Sequence, residues 1–269
     1  FNEKVKLGKK LIVVGGGNVA VDVARSARRL GVKDIRMICL ESKDEMPAHC
    51  WEVEETLEEE IKIINSLGPK MIIEKNGKVS GFEFMAVKSV FDEIGRFKPT
   101  FYEKKITKFD CDTVIIAIGQ AADLSFLNKT EIKLNERGQL KLNRNNFLTT
   151  EEGVFACGEV ASGPGIAVEA IAVGKKAAIS IDKYLRGEDI SCLKFERPNS
   201  ISELPEKTTE LVKKYSRQKM PKIPIKERLK TFSELEIGFD KKIAVREALR
   251  CMSCGSGAEV DSNRCIACL

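Results

Sequence analysis

The beginning of the chain alternates continuous apolar runs with amphipathic stretches, a pattern typical of buried parallel strands and the helices that pack on them. Residues 11–14, LIVV, predict a buried strand. Apolar residues then recur at helical spacing as far as Leu30, which predicts a helix ended by Gly31. Residues 35–40 predict a second buried strand, so the chain begins with a strand–helix–strand unit.

The next segment is rich in glutamate. Between Glu52 and Glu60 the glutamates surround Val53 and Leu57, and Ile61 follows them. This spacing predicts a helix whose glutamates face solvent and whose apolar residues face the core.

Shorter alternations of polarity come after this helix. Residues 71–74 and 79–87 alternate on either side of Asn76–Gly77. An Asn-Gly pair between such runs predicts a β-hairpin, so an antiparallel meander is expected here. Residues 112–118 predict a further strand, which ends at Gly119.

A second strand–turn–helix junction lies further along the chain. Residues 153–159 predict a short buried strand, and the loop 162–165 leads into a helix of small residues predicted over 166–185. Beyond Gly187 the composition shifts to Pro, Lys and Glu, which predicts a loosely packed linker. A last helix is predicted over 241–250.

Composition and charge exclude several classes of protein. The 269 residues are 43% hydrophobic, enough to build a core. The 45 basic residues are nearly balanced by 40 acidic ones, so the net charge of +5 indicates neither a nucleic-acid nor a membrane partner. No run approaches the ~20 apolar residues of a membrane span, and the start of the chain lacks a secretory signal. We therefore expect a globular, cytoplasmic protein.

The first predicted strand runs directly into a glycine turn. Gly15 allows the tight turn, Gly17 lets the backbone approach a phosphate, and Ala20 keeps the helix close to the strand, as in G-x-G-x-x-A. The N–H groups at the start of this helix can bind a pyrophosphate. Glu41 closes the second strand about 20 residues later, where a carboxylate would bind a ribose 2′-hydroxyl. The pattern favours a dinucleotide site over a purely structural turn.

The nine cysteines fall into two groups. Four of them have the spacing C-x2-C-x10-C-x2-C at the end of the sequence, and these are Cys251, Cys254, Cys265 and Cys268. Two C-x2-C pairs predict a metal site, and the spacing fits zinc or an iron–sulfur cluster, with free thiols as a third interpretation. The scattered cysteines are expected to be small buried or half-buried side chains, and these are Cys39, Cys50, Cys111, Cys157 and Cys192.

Three segments, in this order, resemble the pyridine-nucleotide-dependent flavoprotein oxidoreductases, specifically the group around the small (β) subunit of glutamate synthase. Residues 15–25 are similar to that family's nicotinamide-nucleotide motif, with residues 45–48 (EMPA) in the expected place. Residues 117–120 and 153–160 are similar to the two segments that close the flavin domain. Residues 247–255 are similar to the tail of members that carry cysteine-ligated clusters.

The resemblance implies an α/β fold with three parts. These are a three-layer, Rossmann-like nicotinamide-nucleotide domain over 1–116, the second half of an FAD domain over 117–187, and a linker with a mostly helical, cysteine-bearing tail over 188–269. A complete member has a further G-x-G-x-x-G motif upstream, for the FAD pyrophosphate. Because this sequence shows none, we expect that half to be missing or to belong to a protein partner, which leaves an incomplete or shared FAD site.

The resemblance also implies a function. The chain would be the NAD(P)H-binding part of a flavin- and iron–sulfur-dependent oxidoreductase, with hydride transfer between NAD(P)H and FAD and onward electron transfer to a partner. No side chain has to act as acid or base in the hydride step, so no catalytic residue is predicted. The alternative is a non-catalytic dinucleotide-binding or assembly subunit with a structural zinc site.

The predicted cofactor-binding residues form two groups. Those for the nicotinamide dinucleotide are Gly15, Gly16, Gly17, Asn18, Val19, Ala20 and Glu41. Those for the flavin are Gly119, Gly158, Glu159, Gly165, Ile166 and Ala167. The resemblance favours iron–sulfur ligation by the four terminal cysteines over zinc, and His49 is expected at the surface rather than as a ligand.

Two residues depart from the family's pattern. NADPH-using members carry a pair of arginines where this chain has Glu41 and Ser42. A carboxylate there repels a 2′-phosphate, so we expect NADH to be preferred over NADPH. Glu159 replaces the family's usual Asp beside the flavin ribityl chain, which keeps the carboxylate on a longer arm.

Overall fold

The computed structural model describes residues 5–136, 138–191, 193 and 215–250. Its first unit contains, in chain order, β1 (Lys10–Val14), α1 (Asn18–Arg29), β2 (Asp34–Ile38), α2 (Cys50–Glu58), β3 (Lys62–Ile64), β4 (Leu67–Lys75), β5 (Lys78–Phe91), β6 (Phe97–Phe109) and β7 (Thr113–Ile116). Four of these strands form a parallel sheet in the order β3-β2-β1-β7.

Strand β1 is buried on both faces of this sheet, which is why its sequence is a continuous apolar run. Leu11 and Val13 belong to one core cluster, together with the buried side of α1. Ile12 and Val14 belong to the opposite cluster, which contains Phe84 of β5. The predicted strand–helix–strand unit is confirmed.

The strands β4, β5 and β6 form a separate antiparallel sheet that covers the second face of the parallel sheet. The predicted hairpin is confirmed: Asn76 and Gly77 have φ values of 55° and 74°, as the tight turn between two twisted strands requires. The strands extend beyond the predicted ranges, and β6 was not predicted. Helices, parallel sheet and antiparallel sheet make three layers, so the predicted three-layer α/β fold of this unit is confirmed.

The polarity assigned to the 52–61 segment was right for Ile61, which is buried, and for Val53, which packs against the core, but wrong for two glutamates and for Leu57. Glu55 and Glu59 are buried, whereas Leu57 is 50% exposed. Helical periodicity predicts that one face of the helix points inward, but it does not identify the side chains that this face will contact. The inward glutamates meet arginines of α1, and this supplies the charge partners that buried carboxylates need.

The part after β7 has less regular structure in the residues described. A 3-10 turn (Ser125–Leu127), α3 (Glu159–Ser162) and α4 (Ala167–Leu185) follow. The long predicted helix is confirmed with a one-residue difference at its start. The strand predicted over 153–159 is not formed, because Phe155 pairs only with Leu148 as an isolated bridge and so lacks the neighbouring strands that a buried strand needs.

The described C-terminal segment contains two short helices, α5 (Ile225–Arg228) and α6 (Lys241–Ala248). The predicted last helix is confirmed, although it ends earlier than expected. Within the predicted loosely packed linker, Arg228 is an exception, because its side chain is 4% exposed and pairs with Glu58 of the first unit. Among the described residues, no helix has the length and apolar character needed to cross a membrane.

Candidate functional site

The glycine turn lies at the carboxyl end of β1, where the strand order of the parallel sheet reverses. From β1 the chain continues through α1 to β2 on one side, whereas β7 on the other side arrives only after the antiparallel sheet. In α/β sheets, ligands bind in the crevice at such a switch point. The fold therefore puts residues 15–20 where a ligand crevice is expected.

The first glycine leaves no room for a side chain. Gly15 has a φ of +143°, and a Cβ there would stand 2.2 Å from the carbonyl oxygen of Ala117, just after β7. The close approach of β1 and β7 therefore requires glycine at this position. A Cβ on Gly16 would stand 2.7 Å from Oε2 of Glu41 and 3.0 Å from Cβ of Cys39, so it would displace the Glu41 side chain.

The third glycine faces open space. Gly17 is the N-cap of α1 and supplies no side-chain acceptor to the first N–H groups of that helix. A Cβ on Gly17 would meet only Cγ of Pro47, at 3.9 Å. Ala20 is fully buried against the sheet, and Val19 is exposed. The start of α1 thus offers N–H groups toward a space that an anion can enter.

Glu41 is held beside this turn through its main chain. Its carbonyl oxygen accepts hydrogen bonds from Ser66 N at 3.0 Å and from Asn65 Nδ2 at 3.2 Å. Burial, reinforced by the nearby Glu41 carboxylate, raises the pKa of the Cys39 thiol to about 12. Cys39 therefore stays a neutral, packed thiol beneath the turn, as predicted for the scattered cysteines.

Residues 46–49 cross the start of α1, and two hydrogen bonds attach them there. Ala48 N donates to the Gly16 carbonyl at 3.1 Å, and His49 N donates to Oδ1 of Asn18 at 3.0 Å. Asn18, predicted as a cofactor-binding residue, therefore uses its side-chain oxygen to position this loop. His49 is exposed, as predicted.

An ionic cluster that joins α1 to α2 was missed by the sequence analysis. Its members are Arg25, Arg29, Glu55, Glu58, Glu59, Lys222 and Arg228. Oε1 of Glu59 lies 2.9 Å from Nη2 of Arg25, and Glu55 lies 2.8 Å from Nη1 of the same arginine. The arginines recur on one face of α1, and this spacing was the sequence signal that could have predicted the cluster. Lys222 and Arg228, in the C-terminal segment, gave no such signal.

The cluster also attaches the C-terminal segment to the first unit. Nη1 of Arg228 lies 3.0 Å from Oε2 of Glu58, and Lys222 pairs with Glu55. Burial acts to raise the pKa of Glu55, but the Lys222 ammonium and the Arg25 guanidinium outweigh it and hold that pKa below its usual range. Glu55 is therefore a buried carboxylate kept charged by two cations.

The predicted flavin residues lie mostly at a second place. Gly119 follows β7, the strand that pairs with β1 beside the glycine turn, whereas Gly158 and Glu159 stand at the start of α3. Oε1 of Glu159 accepts a hydrogen bond from Gly165 N at 3.0 Å, just before Ile166, the N-cap of α4, and its first residue, Ala167.

A cavity of about 660 Å³ opens beside this second group. Gly158 lines it, and so do three basic residues, Lys141, Arg144 and Lys176. Its size lies in the range of small-molecule and cofactor sites. The basic lining suits an anionic ligand, and the cavity is the candidate for part of a flavin site.

The predicted metal ligands Cys251, Cys254, Cys265 and Cys268 lie outside the described residues. Within the residues that are described, no group of three or more His, Cys, Asp or Glu side chains could hold a metal ion. Cys192 is also outside that part. Of the other scattered cysteines, Cys39 and Cys111 are buried and Cys157 is half-buried, as predicted, but the prediction was wrong for Cys50, which is exposed at the start of α2.

The fold and the glycine turn together are those of FAD- and NAD-binding α/β redox proteins. The chain belongs to the family described as pyridine nucleotide-disulphide oxidoreductases, which residues 1–174 match. A solved structure of T. acidophilum thioredoxin reductase is similar, with a TM-score of 0.53 and 26% identity over 66% of this chain and 53% of that one.

Curated relatives confirm the predicted resemblance. The chain is 37% identical to the NADP(+)-dependent formate dehydrogenase subunit beta of Moorella thermoacetica, over 92% of this chain and 36% of that protein. It is 30% identical to the glutamate synthase [NADPH] small chain of Escherichia coli (strain K12), over 66% of this chain and 39% of that protein. The chain thus spans well under half the length of these relatives.

Proposed function

We propose that this chain is the NAD(P)H-binding part of a flavin- and iron–sulfur-dependent oxidoreductase. The observation that carries the proposal is the open space in front of Gly17, at the switch point of the sheet and at the start of a helix without a side-chain cap. A pyrophosphate pressed against the backbone fits there, because no side chain of residue 17 stands in the way. Family membership supports the redox part of the proposal.

The role of this chain's residues is to bind and orient. The N–H groups at the start of α1 would bind the pyrophosphate, and Glu41 would accept hydrogen bonds from the adenosine ribose. A bound FAD would supply a two-electron acceptor for the hydride and a one-electron donor for the next carrier. Part of its site would be the cavity beside Gly158. Holding the nicotinamide in one orientation is the main contribution to rate that these residues make.

We further propose that NADH is preferred over NADPH. The Glu41 carboxylate lies against Gly16, at the position where the 2′-phosphate of NADPH would meet a like charge. The relatives give this preference no support, because their names specify NADP(+) and NADPH. Calorimetric titration of the chain with each dinucleotide decides the matter. Tighter binding of NADPH than of NADH would overturn the preference. If the Glu41 carboxylate causes the preference, Glu41→Gln should reduce the difference in affinity between the two dinucleotides.

The four terminal cysteines are proposed to hold an iron–sulfur cluster that passes electrons to a protein partner. The support is their spacing, and the formate dehydrogenase relative is itself named as a subunit. The domain limits of 1–116, 117–187 and 188–269 remain part of the same proposal. Both the iron–sulfur cluster and the domain limits can be tested on the purified protein.

The deciding experiment is anaerobic purification followed by a visible spectrum, analysis of iron, sulfide and zinc, and titration with NADH and NADPH. Supplementing the chain with FAD should give dinucleotide-dependent bleaching of the flavin absorbance. In the double variant that carries Cys251→Ser and Cys254→Ser, the iron content and the sulfide content should decrease together. A colourless, zinc-bearing protein that binds dinucleotide without oxidising it would instead favour the non-catalytic subunit.

A further inference from the structure

Two aromatic rings stand beside the glycine turn, and the function proposed above uses neither. His49 and Trp51, at the start of α2, stack with ring centroids 4.3 Å apart and an interplanar angle of 11°. Both rings are exposed, and Trp51 retains 53% of its surface. They are the only histidine and the only tryptophan in the sequence.

The backbone of this pair is fixed against the start of α1. Ala48 N donates to the Gly16 carbonyl, and His49 N donates to Oδ1 of Asn18. His49 is also the N-cap of α2, and its side chain does not cap that helix. Two helix N-termini without side-chain caps therefore meet at this hydrogen bond, and both carry partial positive charge.

The His49 imidazole is oriented by a stacking contact, and no polar side chain among the described residues is bonded to it. In the part of the chain that the structure describes, the stack on Trp51 is its one side-chain interaction. A ring nitrogen that carries a proton can donate a hydrogen bond to an anion. Glu41 touches Gly16 from the end of β2 and is assigned the ribose, so the group left for His49 is the pyrophosphate next to Gly17 and Asn18.

Resting on the proposed function, we propose that the His49 imidazole donates a hydrogen bond to the pyrophosphate of the bound dinucleotide, and that Trp51 holds the ring in the orientation for it. His49 is thus a binding residue and Trp51 a positioning residue. Because the pyrophosphate is common to both coenzymes, His49 contributes equally to the binding of NADH and NADPH.

The test is calorimetric titration of the full chain with NADH, NADPH and ADP-ribose, which keeps the pyrophosphate but lacks the nicotinamide. His49→Gln should weaken all three about tenfold, the loss of one hydrogen bond to a charged group. His49→Arg should recover most of that affinity, and Trp51→Leu should lose less than His49→Gln. Lys78→Gln, at the exposed hairpin, is the control for loss of a surface donor and should bind as wild type.

Each outcome bears on the assignment. If His49→Gln loses affinity for NADPH alone, His49 contacts the 2′-phosphate. If it loses affinity for NADH and NADPH but not for ADP-ribose, His49 contacts the nicotinamide. Either result, or an unchanged affinity for all three, overturns the proposal. Failure of the wild-type chain to bind any of the three would overturn the proposed function itself. An unchanged urea midpoint for His49→Gln excludes a loss of fold. Quenching of Trp51 emission by NADH, whose nicotinamide absorbs where tryptophan emits, is expected as a second readout.

Discussion

Glu59→Gln should destabilise the first unit far more than the same substitution at the next residue. Both glutamates follow α2 and both pair with arginines of α1, but the Glu59 side chain is 0% exposed and the Glu60 side chain is 77% exposed. The amide has nearly the same shape as the carboxylate. The comparison therefore isolates what the environment does to one negative charge.

The magnitude follows from the contacts of Glu59. Its Oε1 accepts hydrogen bonds from Arg25 Nε and Nη2, at 3.1 and 2.9 Å, and from Arg29 Nη2 at 3.4 Å. Breaking a buried charge pair on one side costs ~3–5 kcal/mol. Because Glu55 and Glu58 still neutralise part of the cluster, we expect the lower end, about 3 kcal/mol. Glu60→Gln removes an exposed pair and should cost ~0.2–1 kcal/mol.

Urea denaturation followed by circular dichroism at neutral pH measures both variants. Repeating it at about 1 M salt should remove the small effect of Glu60→Gln and leave most of that of Glu59→Gln, because buried pairs are screened less. Equal losses of unfolding free energy for the two variants, or a Glu59→Gln effect that disappears in salt, would refute the argument from burial.

Three further predictions concern the same part of the fold. Gly15→Ala should abolish dinucleotide binding, because its Cβ meets a backbone carbonyl, whereas Gly31→Ala, also at positive φ but with nothing within 4 Å, should bind as wild type in the same titration. Because the folded pKa of Glu55 is lowered, its stabilisation is complete above its unfolded value of about 4.3 and is lost as the pH falls through the folded one. Lys222→Gln should reduce that acid dependence in urea denaturation, and an unchanged slope would contradict the assignment. Cys39 should resist iodoacetamide until the protein is unfolded, as peptide mapping by mass spectrometry can show; labelling of the native protein would disagree with its raised pKa.

Local patterns were sufficient where one segment decides its own structure. The buried strand at 11–14, the helix that follows and the hairpin at Asn76–Gly77 were all predicted, since apolar periodicity and turn chemistry act over a few residues. The prediction of a strand over 153–159 was wrong because strand formation depends on more than the local segment. A strand depends on neighbours that its own residues do not specify.

The sequence by itself determined the glycine turn, its place between a buried strand and a helix, and hence the class of ligand. Tertiary structure alone decided why glycine is needed at Gly15, because the carbonyl of Ala117 reaches it only when β7 pairs beside β1. It also decided that Glu55 of α2 is buried and paired with Lys222, which is 167 positions away in the sequence. Contacts between distant segments follow from the packing of whole layers, and no local pattern encodes them.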